Sequence, residues 1–158
     1  MLSQGQLNVF FSKSIDFFTK QKFQLSEQGQ QERELTTLQV GPALERLTQT
    51  LMLNQLIVRY DGHLAARPLI KFGMTFLPDA QVTLNMQKIM AIEVKIIREL
   101  DPSGSLSKAL GQTLMYKALG FECALGLIFD LRTERHHSLS ETLSSLGDKN
   151  RTKFILFS

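Results

Sequence analysis

The chain has 158 residues, enough to bury a sizeable core within one domain. Cys123 is its only cysteine, which excludes an internal disulfide and a cysteine-rich metal centre. The net charge of +3 is compatible with a polyanionic partner without identifying one. No stretch reaches the roughly 18 apolar residues of a membrane span. The N-terminus lacks the basic start, apolar middle and cleavage site of a secretory signal, so an intracellular, cytoplasmic protein with no membrane role is expected.

In chain order, Phe10, Phe11, Phe17 and Phe18 fall at the spacing of an amphipathic helix over 6–20, serving core or dimer packing. Residues 21–31 are polar and rich in glutamine, a loop or the approach to the next helix. Residues 32–53 read as helical with a break at Gly41-Pro42; Pro42 suits a first turn, and Leu44, Leu47 and Leu51 form one stripe. A strand over 55–60 ends at the turn signal Asp61-Gly62. Residues 75–84 alternate, with Phe76, Ala80, Val82 and Leu84 on one face and Asp79, Gln81 and Thr83 on the other. Pro78 there marks an edge position, a bulge or a strand start. Residues 88–97 are almost continuously apolar and β-branched, the pattern of a buried strand.

Asp101-Pro102-Ser103-Gly104 breaks the pattern, and Ser105 can cap a helix that runs to Leu119, stops at Gly120 and buries Leu106, Leu110 and Leu114. Residues 122–131 read as a second buried strand. Ser138 and Glu141 match a capping box for a short helix ending at Gly147, and Lys153 to Phe157 suit a last strand. The short connection between residues 84 and 88 favours an antiparallel hairpin, and the helix over 105–119 returns the chain to a parallel strand. The expected fold is α/β, a mixed sheet flanked by helices in a single domain.

Basic residues thicken late, at Arg132, Arg135, His136, His137, Lys149, Arg151 and Lys153, as a solvated surface or a track for phosphates. His136 and His137 are adjacent and diverge on regular structure, and His63 lies beside a turn, so a shared histidine metal site is disfavoured.

Glu93 and Lys95 are two apart in a strand and point to one face, amid apolar Met90, Ile92, Ile96 and Ile97. Two charges in such a setting are costly unless paired, hydrated or bound to something. With a hairpin loop of Asn85-Met86-Gln87 and Leu84 opposite Lys88, pairing back along the ladder sets Asp79 opposite Glu93. The β-carbons of such a pair are roughly 5 Å apart. Their mutual repulsion becomes a site when a hard divalent cation, Mg²⁺ or Mn²⁺, binds between them. Lys95 would then add a cation beside a scissile phosphate.

Pro78-Asp79 followed, fourteen positions on from Asp79, by Glu93-Val94-Lys95 resembles the signature of the PD-(D/E)XK nuclease superfamily. That superfamily includes restriction endonucleases, archaeal Holliday junction resolvases and exonuclease modules of recombination enzymes. The resemblance spans about residues 32–131 and implies a restriction-endonuclease-like fold and metal-dependent cleavage of DNA. It makes Asp79 and Glu93 metal ligands and Asp79, Glu93, Lys95 and Gln112 catalytic. Gln112 and Tyr116, on one helix face with Lys108, resemble the Gln-x-x-x-Tyr element of some branches, which supports the site or contacts DNA. A helix glutamate completes the metal set in many branches; Glu45 is the candidate, with Glu34 and Glu32 as substitutes. Cutting both strands of a duplex implies a homodimer. The alternative expectation is a non-catalytic nucleic-acid- or protein-binding module on the same fold.

Overall fold

The computed structural model describes residues 1–25, 31–51, 55–60, 69–71, 74–134, 137–147 and 150–158. The elements run α1 (Gln4–Lys20), α2 (Glu32–Leu35), a π-helical turn (Thr36–Val40), α3 (Gly41–Thr50), β1 (Ile57–Tyr60), β2 (Leu69–Lys71), β3 (Met74–Phe76), β4 (Ala80–Leu84), β5 (Gln87–Ile97), α4 (Pro102–Ala118), β6 (Cys123–Asp130), α5 (His137–Gly147) and β7 (Thr152–Phe157). The fold is α/β. One open mixed sheet has the order β1-β4-β5-β6-β7, and β2 pairs with β3 in a separate ladder. β1, β4 and β5 are antiparallel neighbours, whereas β6 and β7 run parallel to β5. Among the described residues no helix is long and apolar enough to cross a membrane.

β5 and β6 are apolar almost throughout because helices cover both faces of the sheet. Met90, Ile92, Val94 and Ile96 share one cluster with Leu7, Phe10 and Phe18 of α1 and Leu44 and Leu47 of α3. The opposite face meets α4 and α5, where Ile97 and Ile128 pack with Leu143 and Phe154. The phenylalanines of α1 thus belong to the chain's own core, with Phe11 and Phe17 at its margin.

The helical stretch at 32–50 is not broken at Gly41-Pro42. A π-turn carries it through, and Pro42 stands in the first turn of α3. The strand expected over 75–84 is split, because the ladder with β5 begins only at Ala80. Pro78 has no N–H to give to a ladder there.

The β4–β5 turn is also different. Leu84 pairs with Gln87, so the loop is Asn85-Met86, with Asn85 at φ 54°. Thr83 pairs with Lys88 and Val82 with Met90, which leaves Ile89 as the extra residue of a bulge. Ile89 and Met90 consequently both enter the same core cluster. The bulge restores the offset that a three-residue loop would have produced.

α4 starts earlier than expected. Asp101, at φ 53°, is its N-cap and accepts from the Gly104 N–H at 3.2 Å, with Pro102 in the first turn. The buried positions are Ala109, Thr113 and Tyr116, while Leu114 is 53% exposed. A run of four-residue steps drifts around a helix of 3.6 residues per turn, so Leu106 and Leu110 touch the core and Leu114 has left it. Gly120, at φ 96°, follows the helix as expected. The turn at Asp61-Gly62, His63, Arg135, His136 and Lys149 lie outside the described residues.

Candidate active site

β4 stops short of the end of β5, and this gap organises the site. From Met90 onward the even-numbered N–H groups of β5 face β4, and beyond Ile92, which pairs with Ala80, they have no ladder partner. Two carboxylates take their place. Val94 donates to Asp79 Oδ2 at 2.7 Å, and Ile96 donates to Glu32 Oε1 at 3.3 Å. Two successive N–H groups on one strand edge are about 7 Å apart. Asp79 is therefore carried by the stub of chain before β4, and Glu32 by the first turn of α2, onto the same short edge.

Glu93 and Lys95 project from β5 toward α4. Glu93 is only 5% exposed. Tyr116 donates its hydroxyl proton to Glu93 Oε2 at 2.6 Å and also lies 3.3 Å from the Leu77 carbonyl. Burial pushes the Glu93 carboxyl up to about 8, and the Asp79 charge pushes the same way; Tyr116, Lys95 and Lys108 only partly offset them. Burial, followed by the Glu93 charge and hydrogen bond, raises the Tyr116 hydroxyl as well. Glu93 and Asp79 thus repel each other in the folded chain, as their expected juxtaposition requires.

Lys95 does not point into open solvent. Its Nζ is 3.6 Å from Glu32 Oε1, and its side chain is 17% exposed. Glu32 therefore ties the lysine and the β5 edge together through one oxygen.

On α4, Lys108, Gln112 and Tyr116 follow one another at four-residue spacing along one side of the helix. Tyr116 reaches Glu93 directly, and Lys108, exposed, acts on it through its charge. Gln112 Oε1 is buried without a hydrogen-bond partner. An orphaned amide oxygen of this kind calls for a donor, a water or a cation. Close approach of α4 depends on Gly126, the residue of β6 that pairs with Glu93. A Cβ there would lie 2.6 Å from the Phe154 ring and 3.0 Å from Thr113 Oγ1.

The structure thus gathers Asp79, Glu93, Lys95, Lys108 and Tyr116, and adds Glu32. Glu45 accepts from the Tyr60 hydroxyl at 3.3 Å, and Glu34 is exposed on α2. The helix glutamate that bonds the β5 edge is Glu32. Its position in the first turn of a helix, where an acid is favoured by the dipole, was the signal in the sequence. Among the described residues no group of three His, Cys, Asp or Glu side chains stands ready to hold a metal ion; the acids form a pair, Asp79 with Glu93, beside Glu32.

Two of the late basic residues are engaged within the chain. Arg132 makes two bonds of 2.8 Å to the buried Asp130, and Arg151 bonds to Asn8 and Gln4 of α1. No family model matches the chain, and no curated protein or solved structure matches it either.

Proposed function

We propose that this chain is a divalent-cation-dependent deoxyribonuclease of the PD-(D/E)XK kind, with a restriction-endonuclease-like arrangement of its sheet and helices. The observation that carries the reading is the meeting of Asp79, Glu93 and Lys95 where β5 outruns β4. Hard oxygen donors suit Mg²⁺ or Mn²⁺. The donor set fits such an ion in chemistry: two mutually repelling carboxylates, one of them buried, and an orphaned amide oxygen on the facing helix. Asp79 and Glu93 would hold the cation, with Gln112 as an auxiliary oxygen.

When bound, the cation polarises a phosphodiester and makes water a better nucleophile. The chain's own groups do the rest. Tyr116 fixes the Glu93 carboxylate by its 2.6 Å bond. Glu32 orients Lys95, whose ammonium would neutralise charge developing on the phosphate. Lys108, exposed on α4, would meet the DNA backbone. Both strands of a duplex would be cut by two copies acting as a homodimer.

The direct test is cleavage of supercoiled plasmid, linear duplex, single strand and four-way junction, with Mg²⁺, Mn²⁺ or EDTA. Cation-dependent cutting by the wild type and none by Asp79→Ala is expected. A folded wild type that cuts nothing would overturn the proposal. It would favour a non-cleaving nucleic-acid- or protein-binding module.

A further inference from the structure

A second polar cleft lies away from the acidic edge. It encloses about 780 Å³ and is lined by Gln4, Asn8, Phe11, Lys117, Asn150 and Arg151. Glu93 pairs with Gly126 and Gly126 with Phe154. Arg151, before the start of β7, is thus two strands across and three residues down from Glu93, a distance on the order of 14 Å. The cleft is separate from the proposed cleavage site.

Its groups are arranged as donors. Arg151 Nε donates to Asn8 Oδ1 at 2.7 Å, Nη2 donates to Gln4 Oε1, and Nη1 lies 3.7 Å from Glu122 Oε2. Lys117 Nζ donates to the Glu122 carbonyl. A guanidinium has five N–H groups and an ammonium three, so both cations keep protons to give. Because Arg151 occupies the amide oxygens of Gln4 and Asn8, the free ends of those side chains are their NH₂ groups. Of the two cations, Arg151 approaches the Glu122 carboxylate, whereas Lys117 bonds the main-chain carbonyl of that residue. Their proximity is felt in Lys117, whose ammonium is held below its usual range first by burial and then by the Arg151 charge.

Asn150 and Arg151 both lie in the left-handed region, at φ 61° and 55°. Successive non-glycine residues in that conformation are uncommon, and such strain gathers at ligand clamps. The volume falls in the range of small-molecule pockets and far exceeds one inorganic phosphate. Phe11 provides an apolar wall for a ring.

From these features we infer that the cleft binds a nucleotide, with its phosphate held by Lys117 and Arg151 and its acceptor groups met by the amides of Gln4 and Asn8. The inference does not depend on the nuclease reading.

The test is calorimetric titration of the full chain, in EDTA and low salt, with adenosine monophosphate, adenosine and inorganic phosphate. Saturable binding of the monophosphate is expected, at least tenfold tighter than adenosine or phosphate. Lys117→Gln should weaken it at least tenfold at unchanged melting temperature. Should that variant melt early, Gln4→Ala, at an exposed position of the first turn of α1, should weaken it at least threefold. Asp79→Ala should bind as the wild type does, which separates this site from the acidic edge. Competition by oligothymidylate without terminal phosphates would assign the phosphate to a polynucleotide backbone, and its absence to a free nucleotide; both keep the cleft. No saturable binding, or equal affinity in a folded Lys117→Gln or Gln4→Ala, overturns the inference.

Discussion

The Tyr116 hydroxyl and Glu93 Oε2 are 2.6 Å apart, and this bond joins the middle of α4 to the middle of the sheet. Both partners are buried, so each depends on the other for its polar contact. Tyr116→Phe should lower unfolding free energy by ~1–3 kcal/mol, the usual cost of orphaning a buried acceptor. The bond lowers the Glu93 pKa, so its loss raises that pKa further and moves Mn²⁺ binding to higher pH. Urea unfolding and Mn²⁺ titration across pH check the two effects; an unshifted titration would dissociate Tyr116 from the acid.

Lys95→Ala should reduce single-turnover cleavage by ~10²–10³, the scale of losing one group that stabilises a transition-state charge. Glu32→Gln keeps the hydrogen-bonding shape but removes the charge beside Lys95, and should cost about tenfold through lysine placement. Wild-type rates in Lys95→Ala would remove the lysine from the mechanism, and equal rates in Glu32→Gln would leave Glu32 a strand cap only.

The raised Glu93 pKa has a stability consequence with a definite sign. Folded Glu93 titrates at about 8 against an ordinary 4.5, so between these values the folded chain holds a proton that the unfolded chain has released. Its contribution is full below pH 4.5 and is lost as pH rises through 8. In EDTA the melting temperature should therefore fall from pH 6 to pH 9, and Glu93→Gln should flatten that slope. A slope unchanged in Glu93→Gln would place the proton on another group.

Asn85 occupies the left-handed region at φ 54°. Asn85→Gly should change stability by less than ~1 kcal/mol, because relief of the left-handed backbone is offset by glycine's larger unfolded-state entropy, and Asn85→Val should destabilise by at least ~1 kcal/mol. Thermal melts test both, and a stabilising valine would contradict the observed turn.

Gly126→Ala should cost ~1–3 kcal/mol, because the methyl group meets Phe154 and Thr113. Cleavage should fall with it as α4 is displaced from Glu93. An alanine variant of unchanged stability would mean that α4 has room to move.

The strand pattern and the Asp79–Glu93 offset were legible because burial writes itself into alternation and apolar runs. A three-residue loop and a two-residue loop with a bulge at Ile89 give the same offset, so the sequence does not distinguish the two turns. Nothing in Lys88-Ile89-Met90 announces a bulge, since both apolar residues suit either face. The choice among Glu45, Glu34 and Glu32 is not legible in the sequence for a related reason. A π-turn at Thr36–Val40 changes the facing of α2 against α3, so periodicity carried over from Leu44 and Leu47 selects Glu45. Gln31, the N-cap of α2, makes no side-chain cap, so the acids of the first turn, Glu32 and Glu34, are the start signal that remains.

The overrun of β5 past β4 leaves a short length of sheet edge that any extended peptide could pair with. Asp79 and Glu32 occupy its two N–H groups. They therefore act as guards against intermolecular β-pairing, and the same negative charges repel an approaching strand. Removing both should leave the chain folded but prone to sheet-to-sheet association. Solubility, and not only catalysis, would then constrain which residues these two positions tolerate.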